Sequence, residues 1–158
     1  MFTVAKLQEQ DHIAVQNQDF DLALEYQALT EANQRDGAVV HFVGLVRDNN
    51  LGRQIQALEL EHYPAMTTKA LTELVAEARQ RWQLGRIRLI HRVGKLSLGE
   101  QIVFVGVTST HRGSAFAACE FLMDQLKTRA PFWKKEYTSE GAHWVAARDS
   151  DRVKAGEW

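Results

Sequence analysis

The chain predicts an α+β fold in which a mostly antiparallel sheet packs with two main helices, and three observations lead there. Strand-like runs outnumber helical ones. They fall in neighbouring pairs, 38–46 with 55–63, 86–93 with 101–109, and 132–138 with 142–147. Two stretches with apolar residues at three- and four-residue steps, 66–82 and 114–129, separate those pairs. The expected order is roughly β-β-α-β-β-α-β-β, with the helices on the sheet.

Taken in order, residues 2–7 read as a short strand and the polar residues 8–18 as a loop. Asp19 or Asp21 can cap a short helix through about Thr30, and Asp36-Gly37 marks a turn. The run AVVHFVGLV at 38–46 is apolar almost throughout, as a central strand buried on both faces would be. Arg47-Asp-Asn-Asn-Leu-Gly-Arg53 is dense in turn formers and reads as a flexible connection flanked by two arginines. Residues 55–63 alternate like a hairpin strand with one solvated face. Pro64 suits a first helical turn, and Met66, Ala70, Leu71, Leu74, Val75 and Ala78 supply the apolar side of the helix behind it. A Gly-bearing loop, Ser97-Leu-Gly-Glu100, joins the next two strands. Ser114 opens the second long helix, with Phe116, Cys119, Leu122, Met123 and Leu126 on its buried side. The tail from Asp149 is polar and reads as frayed.

At 158 residues the chain is long enough for one domain with a real core, and no linker, repeat or low-complexity tract divides residues 1–158. A net charge of −1 gives no global pull toward nucleic acid or an acidic membrane, so any anion recognition is local. The lone cysteine, Cys119, excludes an internal disulfide framework and reads as a buried thiol. No run approaches the roughly 18 apolar residues of a membrane span. The N-terminus lacks a signal-peptide design, and the expected setting is the cytoplasm.

Chemistry concentrates at 126–136, LKTRAPFWKKE. Pro131 stops a helix arriving from the N-terminal side, so Lys127 at its end and Lys134 and Lys135 beyond the break can converge if the backbone reverses there. Phe132 and Trp133 give the turn apolar anchors. A solvated basic rim at a helix end is the ordinary alternative. Two ammonium groups about 5 Å apart at an effective dielectric of about 20 repel by roughly 3 kcal/mol, or about 2 pKa units. Such a pair either holds an anion or contains one lysine lowered enough for proton transfer or attack. A second candidate is Thr108-Ser-Thr-His-Arg-Gly-Ser114, where His111 and Arg112 stand at a helix N-terminus, a natural anion site. A helix of about 16 residues is about 24 Å long, so the two clusters cannot meet on one small ligand within a single chain. The ligand is extended, a second chain completes the site, or one cluster is structural. His41, His62 and His91 sit in strand-like runs without metal-ligand spacing, and neither metal nor cofactor is expected.

The segments GAVVHFVGLVRDNN (37–50), LEHYPAM (60–66), IHRVGKLSLGE (90–100), IVFVGVTSTHR (102–112) and LKTRAPFWKKE (126–136) together resemble the large, catalytic subunit family of molybdopterin synthase. That resemblance implies an α/β-hammerhead fold, a homodimer that forms a heterotetramer, and a small ubiquitin-like partner with a Gly-Gly thiocarboxylate. It implies sulfur transfer from that tail to cyclic pyranopterin monophosphate, making the dithiolene of molybdopterin. By motif, Lys127 and Lys134 would be catalytic, and Arg47, His111, Arg112 and Lys135 would line the substrate pocket. Arg148 would be a cross-subunit contact. Leu45 departs from the lysine expected at its place in the G-x-V-R motif. Rival readings are a non-catalytic module that docks a partner's anionic tail, and metal-assisted phosphoester hydrolysis using His62, His91 or His111.

Overall fold

The computed structural model describes residues 5–146 and 149–158. Of the strand expected at 2–7, residues 2–4 lie outside the described residues, as does Arg148, and 5–7 are not in a strand. The first strand is instead β1 (Asp11–Gln16), inside the stretch expected to be a loop. Helix α1 (Leu22–Thr30) follows, capped by Asp21, whose side chain accepts from the Ala23 and Leu24 amides. Then come β2 (Ala38–Leu45), a hairpin of β3 (Asn49–Asn50) and β4 (Arg53–Gln54), β5 (Ala57–His62) and α2 (Pro64–Arg81). Pro64 occupies the first turn of α2, where its missing N–H costs nothing. Strands β6 (Ile87–Arg92), β7 (Gly94–Ser97) and β8 (Gln101–Ser109) lead to α3 (Arg112–Arg129). The chain closes with β9 (Phe132–Thr138), β10 (Gly141–Val145) and α4 (Asp149–Gly156).

The pairing divides these strands between two four-stranded sheets, β1-β6-β8-β2 and β10-β9-β5-β7. Among the described residues, all pairings are antiparallel except β1 with β6. The mixed α+β class is as the sequence predicts. Two details differ. The apolar run 38–45 is an edge strand, with Phe42 and Leu45 exposed. Its composition follows from apolar residues packing on both faces of the first sheet, Val40 against the α2/α3 core and Val39 and Val43 against the α1 core. Likewise 55–63 does not pair with 38–46. It lies inside the second sheet between β9 and β7, the latter a strand that its short sequence Gly-Lys-Leu-Ser hides.

The larger core joins Leu71, Leu74, Val75 and Ala78 of α2 to Ala118, Phe121, Leu122 and Leu126 of α3 over β8. Each larger side chain among them contributes roughly 1.5–3 kcal/mol on burial. Phe116 and Met66, expected on these faces, are exposed instead. The polar tail is a helix, not a frayed end. Gln125 Nε2 donates to the Ala155 carbonyl at 2.8 Å, and Trp158 Nε1 donates to Asp124 at 2.7 Å. The Trp158 ring packs edge-on against Phe121 and Trp82. This docking carries Asp151 to the C-terminal end of α3.

Candidate active site

A pocket of about 470 Å³ opens between the two sheets beside the C-terminal end of α3. Strand β9 builds its wall by simple alternation. Side chains of a strand point alternately to opposite faces, and Phe132, Lys134 and Glu136 all line the pocket. Lys127, in the last turn of α3, and Arg47, just after β2, face the same space. The remaining lining is largely apolar, from Val43, Val46, Leu58, Leu60, Val103, Met123 and Leu126.

The reversal at Pro131 is anchored from one side only. Phe132 stacks on the buried His91 ring at 4.0 Å, whereas Trp133 is exposed. His91 Nδ1 donates to the Arg92 carbonyl at 2.8 Å, which fixes the tautomer. Burial pushes His91 down to about 4, so its ring is neutral.

Burial also pushes the Lys134 ammonium below the usual lysine range. The nearby Glu136 carboxylate pulls it back, while the positive charges of Lys127 and Arg47 press it further down. Lys127 is half exposed and lies 3.9 Å from Asp151 of α4. Among the described residues, the pocket thus sets three cations against two acids, one of them, Glu136, buried and engaged by Asn50.

The other predicted site residues lie elsewhere. Lys135 is on the opposite face of β9, its Nζ 5.2 Å from the Trp144 ring and 5.8 Å from Tyr137. His111 is the N-cap of α3 and Arg112 its first residue, both exposed. They stand at the opposite end of the 18-residue α3 from Lys127, and the whole helix is about 27 Å long at 1.5 Å per residue. Leu45 sits at the pocket, more than half exposed, so a lysine there would add a fourth cation to the mouth.

Sequence reasoning did not single out Asn50, Glu136, His91 as a pocket residue, or Asp151. Glu136 was legible in principle, since it follows Lys134 by two residues on a strand. Asp151 was not, because only the docking of α4 brings it near. The segment 47–53 is no flexible connection. Leu51 and Gly52 take φ of 52° and 79°, the left-handed pair of a tight two-residue hairpin turn. Asn49 Oδ1 accepts from the Gly52 amide at 3.1 Å.

Three cations, one of them a lysine destabilised in its charged form, around a partly apolar cleft are an arrangement of the kind enzymes use on anionic reactants. The model of one protein family, described as MoaE protein, matches residues 15–129. A molybdopterin synthase catalytic subunit from Vibrio cholerae is 57% identical over 149 residues, covering 94% of this chain and 99% of the relative. Among solved structures, a molybdopterin biosynthesis MoaE protein from Burkholderia ambifaria is 49% identical with a TM-score of 0.80, over 94% of this chain and 97% of that one. A structure from Helicobacter pylori, described as a complex of subunits 1 and 2 of molybdopterin-converting factor, shares the fold at 20% identity and a TM-score of 0.69, over 88% of this chain and 92% of that one. The chain belongs to the MoaE protein family, and its curated relatives are molybdopterin synthase catalytic subunits.

Proposed function

We propose that this chain transfers sulfur from the C-terminal thiocarboxylate of a small ubiquitin-like partner to cyclic pyranopterin monophosphate, forming the dithiolene of molybdopterin. The observation that carries this reading is the meeting of Lys127, Lys134 and Arg47 in one part-apolar pocket. A thiocarboxylate is already anionic at neutral pH, so the site needs little base to make its nucleophile. It needs cations that bring two anions, tail and phosphate, together, and a donor for charge developing on the displaced oxygen.

In each transfer the thiocarboxylate sulfur bonds to a substrate carbon as an oxygen leaves that carbon, giving a thioester between substrate and tail. Water then cleaves the acyl carbon–sulfur bond, so that the sulfur stays on the substrate and the tail departs as a carboxylate. Two sulfurs require two tails. Lys127 acts at the reacting carbon as acid/base or as stabiliser of the developing oxyanion. Lys134, whose proton is held less tightly than an ordinary lysine's, orients the tail carbonyl and the substrate. Asp151 keeps Lys127 near the pocket without burying it.

His111 and Arg112 join this chemistry from a second copy of the chain, since α3 is too long for one copy to supply both ends to a small ligand. The proposed assembly is therefore a homodimer with one partner on each site, a heterotetramer acting in the cytoplasm. Arg148 is assigned to the same cross-subunit contact by its motif alone.

The experiment is reconstitution of this protein with the pterin substrate and a partner prepared either as thiocarboxylate or as plain carboxylate. Dithiolene product with the first and none with the second is expected. Partner binding without product from the thiocarboxylate would make the pocket a docking surface instead.

A further inference from the structure

Asn50 lines the pocket, is 8% exposed, and has incomplete bonding. Its Nδ2 donates to Glu136 Oε1 at 2.5 Å. A carboxylate can only accept, so the amide nitrogen must face Glu136 and the amide oxygen must turn elsewhere. That oxygen, Oδ1, is buried and has no hydrogen-bond partner among the described residues. Buried amide oxygens without a donor are rare in folded proteins.

The backbone leaves Asn50 little freedom to repair this. It sits directly before the tight turn at Leu51-Gly52. The base of the hairpin is tied down by Ile55 N–H to the Asp48 carbonyl at 2.8 Å and by Gln56 N–H to the Tyr137 carbonyl at 2.7 Å. Glu136 is two residues from Lys134 on the same face of β9, about 6.6 Å along the strand. A fixed acceptor therefore stands one step from the cationic centre. A ligand with an anionic group and an N–H a few ångströms away would satisfy both.

We propose that Asn50 is a positioning and specificity residue of this pocket, its Oδ1 accepting a hydrogen bond from an N–H of the bound ligand while Glu136 fixes which way the amide faces. The inference deepens the function proposed above and rests on it. Either reactant can bring such a donor: a backbone amide near the end of the partner's tail, or an N–H of the pterin.

Calorimetric titration of the intact protein with two probes separates these sources. One probe is a short peptide ending in Gly-Gly, the other cyclic pyranopterin monophosphate. The proteins compared are the unaltered chain, Asn50→Leu, and the exchange that combines Asn50→Asp with Glu136→Gln. In the exchange the amide introduced on β9 donates to the carboxylate introduced on β3, so charge, hydrogen bond and free acceptor are all kept. Asn50→Leu is expected to weaken one probe by about tenfold or more and leave the other within about twofold, which identifies the reactant carrying the donor. The exchange should return affinity to within about threefold of the original. Asn50→Leu binding both probes like the unaltered chain would overturn the inference.

Should Asn50→Leu fail to fold, Glu136→Gln decides. It can bond Asn50 with the amide facing either way, so a merely structural pair leaves affinity unmoved. A reader of N–H donors loses its fixed direction, and its affinity falls several-fold relative to that for inorganic phosphate, which reports the charge change alone. If the unaltered chain binds neither probe, the proposed function fails and this inference with it.

Discussion

The two ends of α3 carry cations in contrasting settings. At the C-terminal end, Lys127 faces a cleft shared with Lys134 and Arg47, with Asp151 3.9 Å away. At the N-terminal end, His111 and Arg112 stand exposed. A helix N-terminus attracts anions whatever the fold around it, because its free N–H groups and dipole are always there. A desolvated lysine needs a tertiary structure to wall it in, and that costs stability. In the function proposed above, the C-terminal end is accordingly where one chain builds the chemistry, and the N-terminal end is the surface that a second chain would use.

The largest effect that would break this contrast is on turnover. Lys127→Ala should lower the rate of dithiolene formation by roughly 10²–10³ with partner binding intact, as loss of a group stabilising developing charge does. A rate within threefold of the original, measured under saturating partner, would remove Lys127 from the reaction.

Chain mixing sharpens the contrast. Lys127→Ala and Arg112→Ala chains, each nearly inactive alone, are combined and allowed to exchange. If sites form across a dimer, about half the dimers are mixed and each carries one intact site, so about a quarter of full activity returns. Activity that stays at the level of the separate variants would confine each site to one chain.

Acid stability probes the buried wall behind Lys134. The His91 value of about 4 lies below the ordinary 6.5, so between those values the unfolded chain binds the extra proton. Stability is present above pH 6.5 and is lost as pH falls toward 4, by roughly 3 kcal/mol for this group. His91→Asn keeps a donor for the Arg92 carbonyl and should flatten that part of a denaturation profile across pH. A slope unchanged between pH 6.5 and 4 would count against a buried, neutral His91. Smallest is Leu45→Lys, which adds a cation at the mouth. It should tighten binding of the phosphate-bearing substrate by about two- to threefold at low salt, an advantage that salt removes.

The meeting of Lys127 with Lys134 was legible because Pro131 must end a helix, whereas Lys135, expected to join them, is turned to the opposite face by the alternation of the strand. Pro64, the Asp21 cap and the steps of α2 were legible for similarly local reasons. What escaped depends on distant parts of the chain. The strand β1 is polar because it is an edge strand, and its sequence Asp-His-Ile-Ala-Val-Gln resembles a loop until Ile13 and Val15 meet the core. The α4 tail has too few apolar residues to announce a helix, and Trp158, at the very end, docks it. Asn50 reads as one more turn former until Glu136, 86 residues away, turns its amide.

One measurement tests the central claim most directly, because neighbouring lysines of β9 serve as each other's control. Lys134 lines the pocket, whereas Lys135 lies over Trp144 on the opposite face. Single-turnover dithiolene formation is measured for Lys134→Ala and Lys135→Ala, with partner affinity determined alongside. The predicted result is a loss of about 100-fold or more for Lys134→Ala and a rate within about threefold of the original for Lys135→Ala. Equal losses in the two variants, or a greater loss for Lys135→Ala, would contradict the assignment of the reaction to this pocket.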